Sequence, residues 1–331
     1  MKYLSVTLLL ILISAATHAD TSGKGRADSH APIGVMGDHV HKKGDFMASY
    51  RYMTMNMKGN VDGSSSLNTA EVLNQYMVAP LEMTMDMHMF GLMYAPSNSL
   101  TLMIMLPLLN VEMDHVTRMG AEFTTKTDGL GDVTIAGLFK LYNKEGTNVH
   151  LNLGVSVPTG SITEKGDTPM GNDVKLPYPM QLGSGTFDFL PGITYYTLAD
   201  HWSWGAQAKF TLRLDTNDED YTLGDRKMVT AWAAYQISPI VSISLRVEHQ
   251  DWDEINGADP ELNPMMVPTA DPTLRGGNRT EAGLGANILI PSGALAGHRI
   301  AFEYLTGIAQ NLDGPQLETE DRFIAGWQLA F

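Results

Sequence analysis

Apolar and polar residues alternate along many segments of this chain. In one segment a polar or small residue separates each of five apolar residues, Val149, Leu151, Leu153, Val155 and Val157. The same period of two recurs in residues 202–214, 241–248 and 281–290. Because successive side chains of a β-strand point to opposite faces, each segment predicts a strand with one apolar and one polar face.

About twelve such strands are predicted, and short connections alternate with long ones between them. Their expected bounds are 46–57, 80–94, 99–113, 130–143, 147–158, 184–198, 202–214, 227–237, 240–252, 279–291, 298–307 and 320–331. A soluble sandwich would show the same alternation, but the strands are long enough for a tilted bilayer crossing, which takes about ten residues. The pattern therefore predicts an all-β fold, a transmembrane antiparallel β-barrel over residues 45–331, with short periplasmic turns and long external loops.

The two ends of the chain indicate export to the bacterial outer membrane. A charged Lys2, an apolar run and small residues before position 20 predict a signal peptide over residues 1–19. The alternating last strand ends at Phe331 and resembles the C-terminal signal of outer-membrane barrels. We therefore expect outer-membrane lipid and the barrel assembly machinery as partners. Residues 20–44 are polar and lack a strand pattern, which predicts a periplasmic N-terminal segment, either a tail or a stretch folded into the lumen.

The amino-acid composition argues against several classes of function. The 331 residues carry a formal net charge of -15, and such an acidic chain has little with which to neutralise the phosphates of a nucleic acid. There is no cysteine, which excludes disulfides, thiolate metal sites and cysteine nucleophiles. The chain also lacks a G-x-S-x-G nucleophile motif, and we expect that it is not an enzyme.

The unusual feature of the composition is 21 methionines, most of them between Met36 and Met119. Strand phase predicts where their side chains point. Arg51 in the first strand would cost a few kcal/mol against lipid, so it is expected to face the lumen with the methionines of the same phase. The predicted lumen face of the first three strands comprises Arg51, Met53, Met55, Met57, Met83, Met85, Met87, Met89, Met93, Met103 and Met105.

Antiparallel order should bring two methionine rows, 53–57 and 83–89, together at the external mouth. Thioether sulfur is a soft ligand that suits Cu(I), so one hypothesis is a copper ion as cargo or ligand. The alternative is that methionine fills an apolar wall past which a hydrophobic solute slides. The candidate metal ligands are Met53, Met55, Met57, Met83, Met85, Met87, Met89, His39, His41 and His115.

Three segments resemble a known family: the hairpin 90–102, the stretch 128–133 and the strand end 154–160. They are similar to outer-membrane barrels labelled as the meta-pathway phenol degradation family, also called transporters. The resemblance implies a barrel that passes small solutes, aromatic ones among them. The histidine-containing leader 37–44 suggests a subgroup linked to metal. The resulting hypotheses are a channel for small solutes including soft metal ions, a channel for aromatic or hydrophobic compounds, and a closed barrel with a structural or sensing role.

Overall fold

The computed structural model describes residues 26–331, so the predicted signal peptide lies outside the described residues. Within that range there is one α-helix, α1 (Thr69–Gln75), and three short 3-10 turns, Tyr178–Met180, Pro268–Ala270 and Pro272–Leu274. The strands are β1 (Phe46–Gly63), β2 (Ser65–Leu67), β3 (Val78–Ser97), β4 (Leu100–Thr117), β5 (Glu122–Leu130), β6 (Val133–Lys144), β7 (Thr147–Val157), β8 (Lys165–Thr168), β9 (Gly171–Lys175), β10 (Asp188–Leu198), β11 (Trp202–Arg213), β12 (Tyr221–Thr222), β13 (Arg226–Ser238), β14 (Val241–Trp252), β15 (Asn256–Gly257), β16 (Gly277–Leu289) and β17 (His298–Ala330). No helix in residues 26–331 is long and apolar enough to cross a membrane.

The main sheet is antiparallel and closes on itself. Its path runs β1-β3-β4-β6-β7-β10-β11-β13-β14-β16-β17, and β17 then pairs with β1. Strands β2 and β5 lie off this closed path, with β5 extending the wall beside the far half of β4. The predicted all-β closed barrel is confirmed. Closure leaves no unpaired edge, which is what a strand-built wall needs inside lipid.

The last strand, β17, is 33 residues long and serves as two wall segments. Its first part pairs with β16 and its second part pairs with β1. Side chains tie the two parts together: Gln310 Nε2 donates to the Thr319 carbonyl at 2.6 Å, and Thr306 Oγ1 donates to the Glu320 carbonyl at 3.2 Å. Eleven continuous strands on the closed path thus correspond to the predicted number of about twelve once β17 is divided.

The outer face of the barrel carries an apolar band. On β4 the exposed residues along this face are Leu102, Ile104, Leu106 and Leu108. Aromatic rings flank the band at the end with the short turns, where Phe46 stacks on Tyr94 with ring centroids 4.4 Å apart. Such a band with aromatic borders is the surface that a bilayer covers, so the fold is that of an outer-membrane barrel.

Three strands, β1, β3 and β4, extend well past this band toward the long loops. Beyond Leu108 the outward side chains of β4 become polar, and Glu112 pairs with Lys126 on β5 at 2.7 Å. On β3 the outward Asp86 accepts a hydrogen bond from the Tyr52 hydroxyl at 2.8 Å. Strand phase places the Asp86 side chain on the outer face, where contact with lipid would be unfavourable. The structure avoids that contact, because this part of the barrel wall lies beyond the apolar band.

Residues 26–44 fold into the lumen from the end with the short turns; we call them the plug. Arg26 donates to the Ala199 carbonyl and the Lys43 amide donates to Asn98, and both acceptors belong to short turns. Between these two anchors the chain rises into the barrel and returns to β1. The described part of the segment expected in the periplasm is therefore inside the barrel, the second of the two alternatives. It lies there because its backbone groups find partners on the wall.

Candidate functional site

The plug is fixed to the wall at Gly37. Its backbone has φ +68°, a left-handed conformation that favours glycine. Its carbonyl accepts hydrogen bonds from His150 Nε2 at 2.9 Å and, at 3.4 Å each, from Asn152 and Gln207. Three polar side chains of β7 and β11 thus converge on a single plug carbonyl, which makes Gly37 a docking point.

A second docking point is the tip of the plug, Ile33 and Gly34. Arg51 Nε of β1 donates to the Ile33 carbonyl at 3.0 Å, and the Gly34 amide donates to Glu303 of β17 at 2.9 Å. A Cβ on Gly34 would lie 2.5 Å from both Arg246 Nη2 and Glu303 Oε2. The wall therefore accepts the tip only because residue 34 has no side chain. The predicted inward orientation of Arg51 is what lets it hold the plug.

Next to the methionine strands, since β17 pairs with β1, strands β14, β16 and β17 carry a buried ionic network that we call the charged wall. Its members are Arg246, Glu248, Arg279, Glu281, Glu303 and Arg322. Arg246 Nε lies 2.6 Å from Glu303, and Arg322 Nη2 lies 2.7 Å from both Glu248 and Glu281. Each arginine has a carboxylate partner and each carboxylate an arginine, so the wall neutralises itself. This pairing offsets the cost of burying six charges.

The methionines on β1, β3 and β4 divide into two clusters. The inner methionine cluster packs against the plug and contains Met36, Met47, Met87, Met89, Met93, Met103 and Met105 with Val40, Ala136 and Leu138. Two of the pairs that build it are cross-strand neighbours, Met47 with Met93 and Met93 with Met103. Met36 and Val40 belong to the plug itself, so the plug supplies part of this cluster.

The outer methionine cluster lies nearer the long loops. It contains Met57, Met83, Met85, Met113 and Met180 with Leu109, Val111, Leu176, Leu182 and Leu317. Met180, Leu176 and Leu182 come from the long connection between β7 and β10, which folds over the strands and buries Met83 and Met113. A hydrogen bond from Thr127 to the Met180 carbonyl, 2.9 Å long, holds this cover in place.

The predicted single patch at the mouth is thus divided among three places. The expected contacts between rows do occur, since Met53 pairs with Met87, Met55 with Met85 and Met57 with Met83. Met53, however, packs against the group around Ile33, Leu305 and Ile324. The reason is the two insertions that sequence periodicity does not show, the plug from one end and the β7–β10 connection from the other.

A cavity of about 10 Å³ lies where the inner methionine cluster meets the plug. Thioether side chains supply much of its lining, and Asp38 and Arg51 contribute charged groups; the full lining is Met36, Gly37, Asp38, Met47, Ser49, Arg51, Gly91, Met93, Met103 and Met105. The volume admits a single water-sized sphere. The cavity therefore brings five soft sulfur ligands and a carboxylate around a space of atomic size.

Beside the cavity the plug gathers three histidine rings. His30 and His39 have ring centroids 4.1 Å apart, and His39 and His41 have centroids 4.7 Å apart. Asp38 accepts a hydrogen bond from His39 Nδ1 at 2.8 Å and another from the Ala31 amide at 2.9 Å. The pKa of Asp38 lies well below its ordinary value because the neighbouring imidazoles and the donated hydrogen bonds outweigh its burial. Burial lowers the pKa of His41 to about 3, which keeps that ring neutral.

The remaining predicted ligand, His115, lies elsewhere. It sits near the far end of β4, where its ring stacks on Phe123 with centroids 4.9 Å apart. No ring contact or ion pair joins it to the plug histidines anywhere in residues 26–331. The predicted sites also left out residues that the structure brings in, namely His30, Met36, Asp38, Met47, Met113 and Met180. Strand phase alone could have included Met47 of β1 and Met113 of β4, whereas the other four lie in segments without period two, which give no such signal.

A protein family described by its role in the "MetA-pathway of phenol degradation" matches residues 75–263, more than half of the chain. The chain belongs to this family. The matched range begins at the end of α1 and runs past β14, so it covers eight of the eleven strands of the closed path and leaves out the plug, β1, β16 and β17. The resemblance seen in the sequence is confirmed. Among curated proteins the sequence has no match.

Solved structures show the same fold. An outer membrane channel from Pseudomonas putida F1 is similar with a TM-score of 0.64 and 14% identity, covering 90% of this chain and 99% of that chain. A FadL homologue from Pseudomonas aeruginosa has a TM-score of 0.41 and 11% identity, covering 95% of this chain and 98% of that chain. The first likeness agrees with the closed barrel and its apolar band. The predicted place of this family member in the bacterial outer membrane is confirmed.

Proposed function

We propose that this protein is an outer-membrane channel for small solutes that passes soft monovalent metal ions such as Cu(I). The ions would move along the inner and outer methionine clusters of β1, β3 and β4, which we together call the methionine wall. The observation that carries the proposal is the cavity that Met36, Met47, Met93, Met103 and Met105 line together with Asp38. Thioethers are weak, neutral ligands that prefer soft cations. Weak binding suits a passage, because an ion that binds must also leave.

The arrangement of the two methionine clusters suits a route along one wall. The outer cluster adjoins the long loops, which lie outside the cell in outer-membrane barrels, and the inner cluster adjoins the plug at the periplasmic end. Met85 of the outer cluster and Met87 and Met89 of the inner cluster occupy successive inward positions of β3, so the two clusters adjoin. An ion could therefore pass from thioether to thioether along β3, and it would meet the charged wall only beside Met55, whose sulfur lies 3.9 Å from Arg279 Nη1.

The structure is closed, so passage requires movement. The plug fills the periplasmic half, and the β7–β10 connection covers the outer cluster. The plug is held by side-chain hydrogen bonds rather than by continuation of the sheet, among them those at Gly37, Ile33 and Gly34 and those from Arg299 to Ala27 and Ser29. We propose that partial withdrawal of the plug opens the inner cluster to the periplasm.

The test is ion flux into vesicles that contain the full-length barrel and a dye sensitive to Ag(I), a stable analogue of Cu(I). We expect Ag(I) to enter faster than K⁺. Replacing Met47, Met93, Met103 and Met105 by Leu should remove that preference, since leucine keeps the apolar volume but has no sulfur. The matched control replaces four exposed methionines, Met77, Met119, Met170 and Met265, by Leu and should change nothing.

Three results would overturn the soft-metal proposal. The first is an Ag(I) flux that is equal in the wild type and in the inner leucine variant. The second is entry of benzoate, a small aromatic anion, through both proteins without entry of Ag(I), which would favour an apolar passage for aromatic compounds. The third is a folded barrel that passes none of the solutes, which would favour a structural or sensing role.

A further inference from the structure

The residues on either side of plug residues 31–37 bring together imidazole and carboxylate ligands, which the methionine wall lacks. We propose that the imidazoles of His30, His39 and His41, with the Asp38 carboxylate holding the His39 ring, form a site for a divalent transition metal ion such as Zn(II) or Cu(II), and that the bound ion keeps the plug docked. This site does not depend on which solute passes through the barrel. It uses imidazole and carboxylate rather than thioether, and it serves as a clamp rather than a route.

Geometry already brings the three side chains together. One ligand atom from each of His30, Asp38 and His39 lies within 4.8 Å of the other two. Ligands about 2.1 Å from a tetrahedral ion stand about 3.4 Å apart, so modest side-chain rotation would complete the site. His41 supplies the third imidazole, because its ring lies 4.7 Å from that of His39.

The nitrogens of these rings are in an unusual state for buried polar atoms. His30 Nδ1, His39 Nε2 and His41 Nε2 are buried and have no hydrogen-bond partner in the described part of the chain. Leaving such atoms unpaired destabilises the fold, so a cluster of three calls for an explanation. A metal ion would use the lone pairs of all three.

Asp38 prepares His39 for this role. Because a carboxylate can only accept, His39 Nδ1 is the donor in the 2.8 Å hydrogen bond to Asp38, and Nε2 is left as the nitrogen that can bind a metal ion. Carboxylates that hold a histidine in this way are a regular feature of metal sites, and their loss weakens metal affinity roughly 10–100-fold. The second Asp38 oxygen accepts from the Ala31 amide and so joins the two sides of the loop.

The position of the site links it to docking. Residues 31–37 form the loop whose Ile33, Gly34 and Gly37 bind the wall, and His30 and Asp38 are the residues at its two ends. An ion bound to both ends would hold the loop in the shape that those contacts require. Loss of the ion would leave the loop ends joined only by the Ala31–Asp38 hydrogen bond.

The experiment measures Zn(II) and Cu(II) binding to the purified full-length barrel by equilibrium dialysis. We expect one ion per chain, with affinity reduced at least about tenfold by His30→Ala, by His39→Ala and by Asp38→Asn. The matched control is the double variant His201→Ala, His249→Ala, in which two exposed histidines are lost and binding stays unchanged. A difference in gel migration between unheated and heated samples shows whether each variant is folded.

A second measurement follows the plug directly. Because the chain has no cysteine, Val35→Cys supplies a single thiol on the buried plug tip. Zn(II) should slow its reaction with a maleimide at least threefold in the parent protein and should have no effect when His30 and His39 are alanine. The site is refuted if the folded parent binds neither ion, or if binding persists in His30→Ala and His39→Ala. The clamp is refuted if bound Zn(II) leaves the thiol reactivity unchanged.

Discussion

Two neighbouring parts of the lumen wall are buried in opposite ways. On β14, β16 and β17 the charged wall has three arginines and three glutamates that pair among themselves. On β1, β3 and β4 the methionine wall has flexible thioethers that pack on the plug and on the β7–β10 connection. The arginines and glutamates satisfy one another, whereas the methionines keep thioether ligand atoms beside a cavity.

The difference lies in what each wall permits. An ionic network of this kind has discrete geometry, since moving one member leaves its partners buried and unpaired. Methionine has three rotatable bonds and fills irregular spaces, so a cluster can repack when a solute or the plug moves. We infer that the charged wall is the fixed side of the barrel and the methionine wall the adaptable side.

The largest expected effect comes from breaking the charged wall. Arg246→Leu leaves Glu303 buried without an ionic partner and should lower the free energy of unfolding by about 3–5 kcal/mol. Lys227→Leu breaks the exposed pair with Asp251 and should cost less than about 1 kcal/mol. Urea unfolding in detergent or lipid measures both, and equal losses in the two variants would show that the wall is not a coupled network.

A truncation in the methionine wall should come next. Met105→Ala removes buried side-chain volume beside the cavity and should cost roughly 2–4 kcal/mol. Met265, which is 68% exposed, provides the control, and Met265→Ala should stay within about 0.5 kcal/mol of the parent. If the two variants unfold alike, the inner cluster is not packed as the structure has it.

The contact between the plug and the charged wall gives a smaller effect. Gly34→Val forces a side chain toward Arg246, Glu303 and Ile324 and should cost about 1–3 kcal/mol of docking. Gly34→Ala should lie between the parent and Gly34→Val. The maleimide reaction of the Val35→Cys thiol measures docking, and a rate that does not rise with side-chain size would contradict the close approach.

The variant with the smallest expected effect on stability distinguishes the packing role of a methionine from its role as a ligand. Met105→Leu conserves volume and should cost less than about 1.5 kcal/mol. It should nevertheless reduce Ag(I) binding, because the lost atom is a ligand and not only a filler. Paired unfolding and Ag(I) titrations check this, and an Ag(I) affinity equal to that of the parent would reduce the methionine wall to packing alone.

Sequence reasoning identified the barrel because a strand with one lipid face must alternate at every second residue. It assigned Arg51 and its methionine neighbours to the lumen for the same reason, and the register of Met53 with Met87 follows from antiparallel pairing. These are local consequences of backbone geometry. They do not require knowledge of what fills the lumen.

The contents of the lumen could not be predicted in this way. His30, Asp38 and Met36 lie in a segment without periodicity, and only long-range hydrogen bonds, such as that from His150 to Gly37, bring them inside. Met180 reaches the outer cluster through a long connection whose path no local pattern specifies. The single predicted methionine patch was divided for this reason.

The central claim is that the inner methionine cluster binds a soft ion through sulfur. X-ray absorption at the silver edge, on full-length barrel loaded with one Ag(I) per chain, tests it most directly. We predict a first shell of sulfur atoms that disappears when Met47, Met93, Met103 and Met105 are leucine and survives in the control that replaces the four exposed methionines. A first shell made only of nitrogen and oxygen, or one that the leucine variant leaves unchanged, would contradict the claim.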